Sequence, residues 1–295
     1  MILHTEFEYF GANYGTHYMM QLRTMVCSLG LLAACSGPAK NARPYAEPKV
    51  ADVIAKLAAA RARIHSFNAE SVMDYWLGKD RLKGTVLVMG TPGAKVRFNA
   101  LSPAGDAPIM DMACNGQDFA LVDIQNNCTL AGPCNADSIA QLLRVPMTPD
   151  DFFYLAMGQT PVLNNGADVT GKVTWDASAG VERVELTAAA GSQTLVIDGK
   201  DGHWDIRKSE LRDAAGKMIW SVENTDFDEL TDASGAKFRV PNKTRFQSPS
   251  EKADLLVDWQ DRTVNQPITD DKFQLTPPAG LPMCGSKVAP GAATK

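Results

Sequence analysis

Residues 253–259 read Ala253-Asp254-Leu255-Leu256-Val257-Asp258-Trp259. The period of two puts Ala253, Leu255, Val257 and Trp259 on one side of an extended chain, with Asp254 and Asp258 on the other. A helix would scatter these residues around its circumference, whereas a strand sorts them into a greasy side and a wet one. The same sorting recurs in Met218/Trp220/Val222 against Ser221/Glu223 and in Val173/Trp175 against Lys172/Thr174. Short alternating segments bounded by Gly, Asn, Asp or Pro predict strands at 82–89, 95–101, 109–114, 119–124, 172–176, 183–187, 194–197, 203–206, 218–222, 237–240 and 253–259. The protein is therefore expected to be built on antiparallel sheet with one apolar face.

Helical spacing interrupts this pattern twice. From Pro48 to Phe67 the apolar positions Val50, Val53, Ile54, Leu57, Ala58 and Ile64 predict one amphipathic helix. In the middle of the chain, residues 135–145 place Ile139, Leu142 and Leu143 on one helix face. After Pro146, Thr148 is a cap for a second helix with Pro149 first and Asp151 third, ending at Gly158. No internal repeat or second linker divides the chain, which predicts a single domain over 48–283 and a loose tail over 284–295. A long sheet with one greasy face hides it under a second sheet or by curling over helices. Three apolar helices favour the latter: a mainly β (α+β) fold in which one curved antiparallel sheet is plugged by helices on its concave side.

The chain has 295 residues, 29 basic and 34 acidic, a formal charge of -5 and 45% hydrophobic residues, which excludes wholesale disorder. It has neither a basic surplus nor a Lys/Arg stripe, so a nucleic-acid partner is not expected.

The N-terminus points to export. After Arg23, residues 25–34 form an apolar run ending Leu32-Ala33-Ala34 before Cys35. The run is too short to span a bilayer and suits a signal core followed by small residues. Leu-Ala-Ala-Cys resembles the bacterial lipobox, whose cysteine receives a diacylglycerol and becomes the mature N-terminus. Residues 1–34 are thus expected to be a signal peptide. Glu6 and Glu8 make 1–18 a poor leader, so translation is expected to begin at Met19 or Met20. Residues 35–47, rich in Pro and Ala, read as a lipidated tether. Ser36 in place of an aspartate favours the outer membrane, with the domain facing the periplasm. In that oxidising setting Cys114, Cys128, Cys134 and Cys284 are disulfide candidates. A turn through Gly132-Pro133 suggests Cys128 with Cys134, leaving Cys114 for Cys284, although all three connectivities stay open. No CxxC spacing or neighbouring histidine supports zinc, and no cofactor is expected.

Catalysis is not expected either. His65 and His203 lie far apart, Asp150-Asp151 suits the first turn of a helix, and no Gly-x-Ser-x-Gly, P-loop or GxGxxG after a strand occurs. Phe98, Phe119, Phe152, Phe153, Trp175 and Trp220, with methionines such as Met73, Met110 and Met112, are candidates for the wall of an apolar cavity. Arg97, next to Phe98, is a candidate partner for an acyl carbonyl.

Three stretches carry a family resemblance: Arg97-Phe98-Asn99-Ala100-Leu101-Ser102-Pro103-Ala104-Gly105, then residues 116–123, then residues 142–149 followed by Phe152-Phe153-Tyr154-Leu155-Ala156-Met157-Gly158. Their content and order, over roughly residues 70–165, resemble LolB-type members of the LolA/LolB family. The resemblance implies an open half-barrel with an N-terminal helix and a two-helix lid, whose cavity holds acyl chains of lipids or lipidated proteins. It also implies a membrane-touching loop at Pro103, Ala104 and Gly105. There the sequence departs from the family, which projects a leucine; Ala104 offers a methyl group and little apolar area for insertion. The resemblance thus implies an outer-membrane-anchored lipoprotein that binds acyl chains of lipoproteins or lipids in a hydrophobic cavity and serves lipoprotein localisation. The alternative is an envelope interaction or sensor lipoprotein of the same fold with a filled core and no lipid cargo. An envelope lipoprotein with only a structural role is a third option. The sequence does not specify an oligomeric state.

Overall fold

The computed structural model describes residues 41–102, 107–143, 147–163 and 168–284. The expected signal peptide, Cys35, the loop residues Pro103, Ala104 and Gly105, and the tail beyond Cys284 lie outside the described residues.

Helix α1 (Val50–Ala62) is followed by six strands: β1 (Phe67–Leu77), β2 (Asp80–Thr91), β3 (Lys95–Leu101), β4 (Pro108–Asn115), β5 (Asp118–Asp123) and β6 (Cys128–Pro133). Helices α2 (Ala136–Leu143) and α3 (Pro149–Leu155) come next. Seven further strands complete the chain: β7 (Thr170–Asp176), β8 (Val181–Ala188), β9 (Gly191–Asp198), β10 (Asp205–Asp213), β11 (Met218–Thr231), β12 (Lys237–Ser248) and β13 (Ala253–Val264). All thirteen belong to one antiparallel sheet, ordered β6-β5-β4-β3-β2-β1-β13-β12-β11-β10-β9-β8-β7. Two meanders are thus joined by their first and last strands, with Phe67 opposite Val264 and Leu77 opposite Ala253.

The sheet does not form the expected curved half-barrel. Its outer strands β6 and β7 do not pair with each other, and the sheet is open and not strongly curled. Curling is one way to hide an apolar face; here separate helices cover separate halves of it. Val53 and Leu57 of α1 pack with Val184, Leu186, Leu195, Ile197 and Ile206 of β8–β10. Phe152, Phe153 and Leu155 of α3, with Ile139 of α2, pack with the inward residues of β1–β5 and β11–β13. The side chains of Leu142 and Leu143 lie outside the described residues.

The opposite face is partly covered by the segment after β13. A short 3-10 turn, Asp270–Phe273, lies against β3 and β4 and buries Phe273. The chain then reaches β6, where Thr129 N–H donates to Pro282 O (2.9 Å) and Cys284 N–H donates to Thr129 O (2.9 Å). Disulfides join Cys114 to Cys134 and Cys128 to Cys284, not Cys128 to Cys134. The reason is that residues 128–133 form extended strand β6, not a turn, which carries Cys128 and Cys134 to opposite ends.

Candidate functional site

Strand direction puts the ends of the elements into two sets. One end of the sheet carries the β1–β2 turn, the β3–β4 and β5–β6 connections and the start of β13. An apolar pocket of about 250 Å³ opens there. Met73, Val86, Phe98, Ala100, Met110 and Leu255 are among its lining residues, contributed by β1–β4 and β13. Lys83, Asp123 and Gln125 are polar residues of the same lining. Leu82, 49% exposed, borders the opening, and Ile124, 48% exposed, lies between the lining residues Asp123 and Gln125. Gly84 permits close packing here, since a Cβ would stand 3.1 Å from Leu101 O.

Only part of the expected cavity wall reaches this opening. Phe98 and Met110 line it. Met112, Phe119, Phe152, Phe153 and Trp220 are instead no more than 6% exposed and belong to the packed core. Phe98 and Phe152 lie with ring centroids 6.3 Å apart, and Trp220 lies 6.4 Å from Phe246. Leu82, Ile109 and Leu255 complete the apolar lining, and the strand alternation that puts Leu255 on the greasy side is the sequence signal for it.

Arg97 does not face the pocket. It extends from the face opposite Phe98 and clamps Asp111 through Nε (3.1 Å) and Nη2 (2.6 Å), while Nη1 donates to Lys272 O (2.9 Å). Its role is to tie the segment after β13 to the sheet. The carboxylate pair is likewise structural. Asp150 accepts hydrogen bonds from Gly93 N–H (3.0 Å) and Ala94 N–H (2.7 Å), and Asp151 meets Arg61 at 3.1 Å. Thr148 caps α3 by accepting from Asp151 N–H at 3.1 Å. His65 and His203 are both exposed. Among the described residues no group of His, Cys, Asp and Glu is arranged to hold a metal.

A second cluster lies at the other end of the sheet, around the β7–β8 turn. Trp175 is here, away from the pocket: its indole N–H donates to Asn41 O (2.7 Å), and its ring meets Tyr45 edge-on at 6.2 Å. Asn41 N–H donates to Ala177 O (2.8 Å). Arg43 reaches Glu182, whose side chain is 0% exposed; Nε lies 2.9 Å from Oε1 as a charge contact, and Nη2 donates to Oε2 at 3.1 Å. Tyr45 packs between Trp175 and Trp204, 5.4 Å from the latter. Gly199 makes room for it, because a Cβ there would stand 2.4 Å from the tyrosine hydroxyl. Burial, then the charge of Glu182, pushes the Tyr45 hydroxyl up to about 12. Residues 41–45, which composition assigns to a tether, are thus a strap bound to the sheet.

No protein-family model and no curated protein matches the chain. Among solved structures, a LolA superfamily protein from Nitrosomonas europaea is similar at 12% identity and a TM-score of 0.51, covering 78% of this chain and 99% of that one. A DUF1329 family protein from Desulfovibrio piger is similar at 13% identity and a TM-score of 0.48, covering 75% and 97%. A domain named for outer membrane lipoprotein sorting, from Vibrio parahaemolyticus, is similar at 11% identity and a TM-score of 0.45, covering 74% and 94%. The chain has a LolA-superfamily-like fold at low sequence identity.

Proposed function

We infer that this chain is a lipid-anchored, non-catalytic envelope protein whose filled domain docks an apolar segment of a partner protein at the pocket formed by β1–β4 and β13. Cys35 carries the lipid, and the domain faces the periplasm of the outer membrane. The observation that carries this reading is the state of the interior. The aromatic residues that would line a lipid trough are interlocked, and the pocket, at about 250 Å³, falls below the ~300–1,000 Å³ typical of ligand sites. A pocket of that size with exposed Leu82 and Ile124 nearby suits one or two anchoring side chains of a protein partner. Two disulfides support the oxidising compartment that the N-terminal sequence implies.

The apolar lining favours a second reading, in which the pocket takes the end of an acyl chain. One experiment decides between them. The Cys35→Ser form is isolated from the periplasm and analysed by native mass spectrometry with lipid extraction. In parallel, a photo-crosslinker is placed at Leu82 and, as a control, at exposed Glu185. Lipid-free protein and one discrete protein adduct at Leu82 alone are expected; stoichiometric lipid overturns partner docking in favour of carriage.

A further inference from the structure

The strap and the pocket lie at different strand ends and in different parts of the strand order, the strap at the β7 edge and the pocket over β1–β4 and β13. Strand β1 runs from the strap end to the pocket end, and its 11 residues at ~3.3 Å each separate those ends by about 36 Å. Across the sheet, β7 is the edge strand and β1 is seven steps away, roughly 34 Å at ~4.8 Å per step. The chain enters the domain at Asn41, beside the β7–β8 turn, where the Asn41, Arg43 and Tyr45 contacts hold it. Between Cys35 and Asn41 stand only the five residues 36–40. Fully extended, the six Cα steps span about 20 Å.

We propose that residues 41–45 are a docked stalk that seats the β7–β8 corner next to the lipid headgroups and keeps the pocket, several strands away at the other strand ends, clear of that membrane. This rests on the lipid anchor at Cys35. The leash sets the orientation, not charge: near the corner Asp176, Asp198 and Asp201 are mixed with Lys49, Lys56 and Lys200, which gives no strong attraction to an anionic surface. If residues 41–45 were free, the leash would lengthen from six Cα steps to about ten, or roughly 34 Å, and the corner preference would weaken. With the strap docked, a partner reaches the pocket from the aqueous side and not from the bilayer that holds the protein.

The test uses the full acylated chain in phosphatidylethanolamine/phosphatidylglycerol vesicles containing an acceptor-labelled lipid. A donor dye is attached to a single added cysteine, Ala179→Cys in the β7–β8 turn or Lys79→Cys in the β1–β2 turn; both positions are exposed. Mass analysis of the N-terminal peptide is done first. Energy transfer is expected to be stronger from position 179 than from position 79. A Gly/Ser spacer of about twenty residues after Lys40 is expected to abolish the difference without touching the folded domain. An acylated chain with equal transfer from both positions overturns the orientation and leaves the anchor standing. A chain without acylation overturns both.

Discussion

Replacing Arg43 with alanine strikes the contact that holds the strap. Glu182 sits in β8 with its side chain 0% exposed, and Arg43, at 16%, is the cation that meets it. Removing one member of a buried pair leaves a charge without compensation and costs about 3–5 kcal/mol. Because Arg43 keeps slight access to water, the lower figure applies, about 3 kcal/mol, against a total stability of roughly 5–15 kcal/mol. For a domain of this size that corresponds to a fall in Tm of about 6–12 °C. The assay is urea unfolding followed by tryptophan fluorescence, for which Trp175 and Trp204 are local reporters beside Tyr45. The double substitution Arg43→Met with Glu182→Leu supplies apolar groups of similar volume and is expected to stay within about 1 kcal/mol of the native protein. An Arg43→Ala loss below about 1 kcal/mol, the range of exposed ion pairs, would refute the view that this pair is buried and holds the strap.

Three further outcomes are expected. Gly158 follows α3 with φ +73, and a Cβ there would stand 2.6 Å from Pro241 Cδ, so Gly158→Ala should cost at least about 2 kcal/mol in urea unfolding. In the chain-entropy treatment, loss of Cys128–Cys284, with a separation of 156, costs about 5 kcal/mol, and loss of Cys114–Cys134, with a separation of 20, about 3 kcal/mol. Paired Cys→Ser variants compared by thermal melting should fall in that order. Tyr45 titrates at about 12 in the fold against 10.0 as a free side chain, so its contribution is intact below pH 10 and is lost as the pH rises through 12. Spectrophotometric titration should show a late-ionising tyrosine component that Tyr45→Phe removes.

Local patterning was the most legible layer of the sequence. Strand β3 follows its predicted 95–101 span, and Thr148 caps α3 as its spacing predicts. Strand β1 was missed because Glu70 and Asp74 break its apolar pattern and the helix prediction ran to Phe67. Strand β6 was missed because Gly132 and Pro133 read as turn residues. The later halves of β11 and β12 carry mixed polar residues such as Asp226 and Lys243, which conceal extended backbone from a hydrophobicity period. Alternation tells which side of a strand is buried, but sheet closure depends on what covers that side, so the half-barrel did not follow from it. The placements of Arg97 and Trp175 depended on segments distant in sequence, around Lys272 and Asn41, which no local pattern links to them.

The pairing of β1 with β13 has a consequence for biogenesis. Phe67 waits for Val264, so neither meander gains its central neighbour until almost the whole polypeptide has emerged. Such distant pairing is slow, and meanwhile unpaired strand edges are open to aggregation. A protein assembled this way completes its sheet late, and the last cysteine, Cys284, can reach Cys128 of β6 only after β13 has been made.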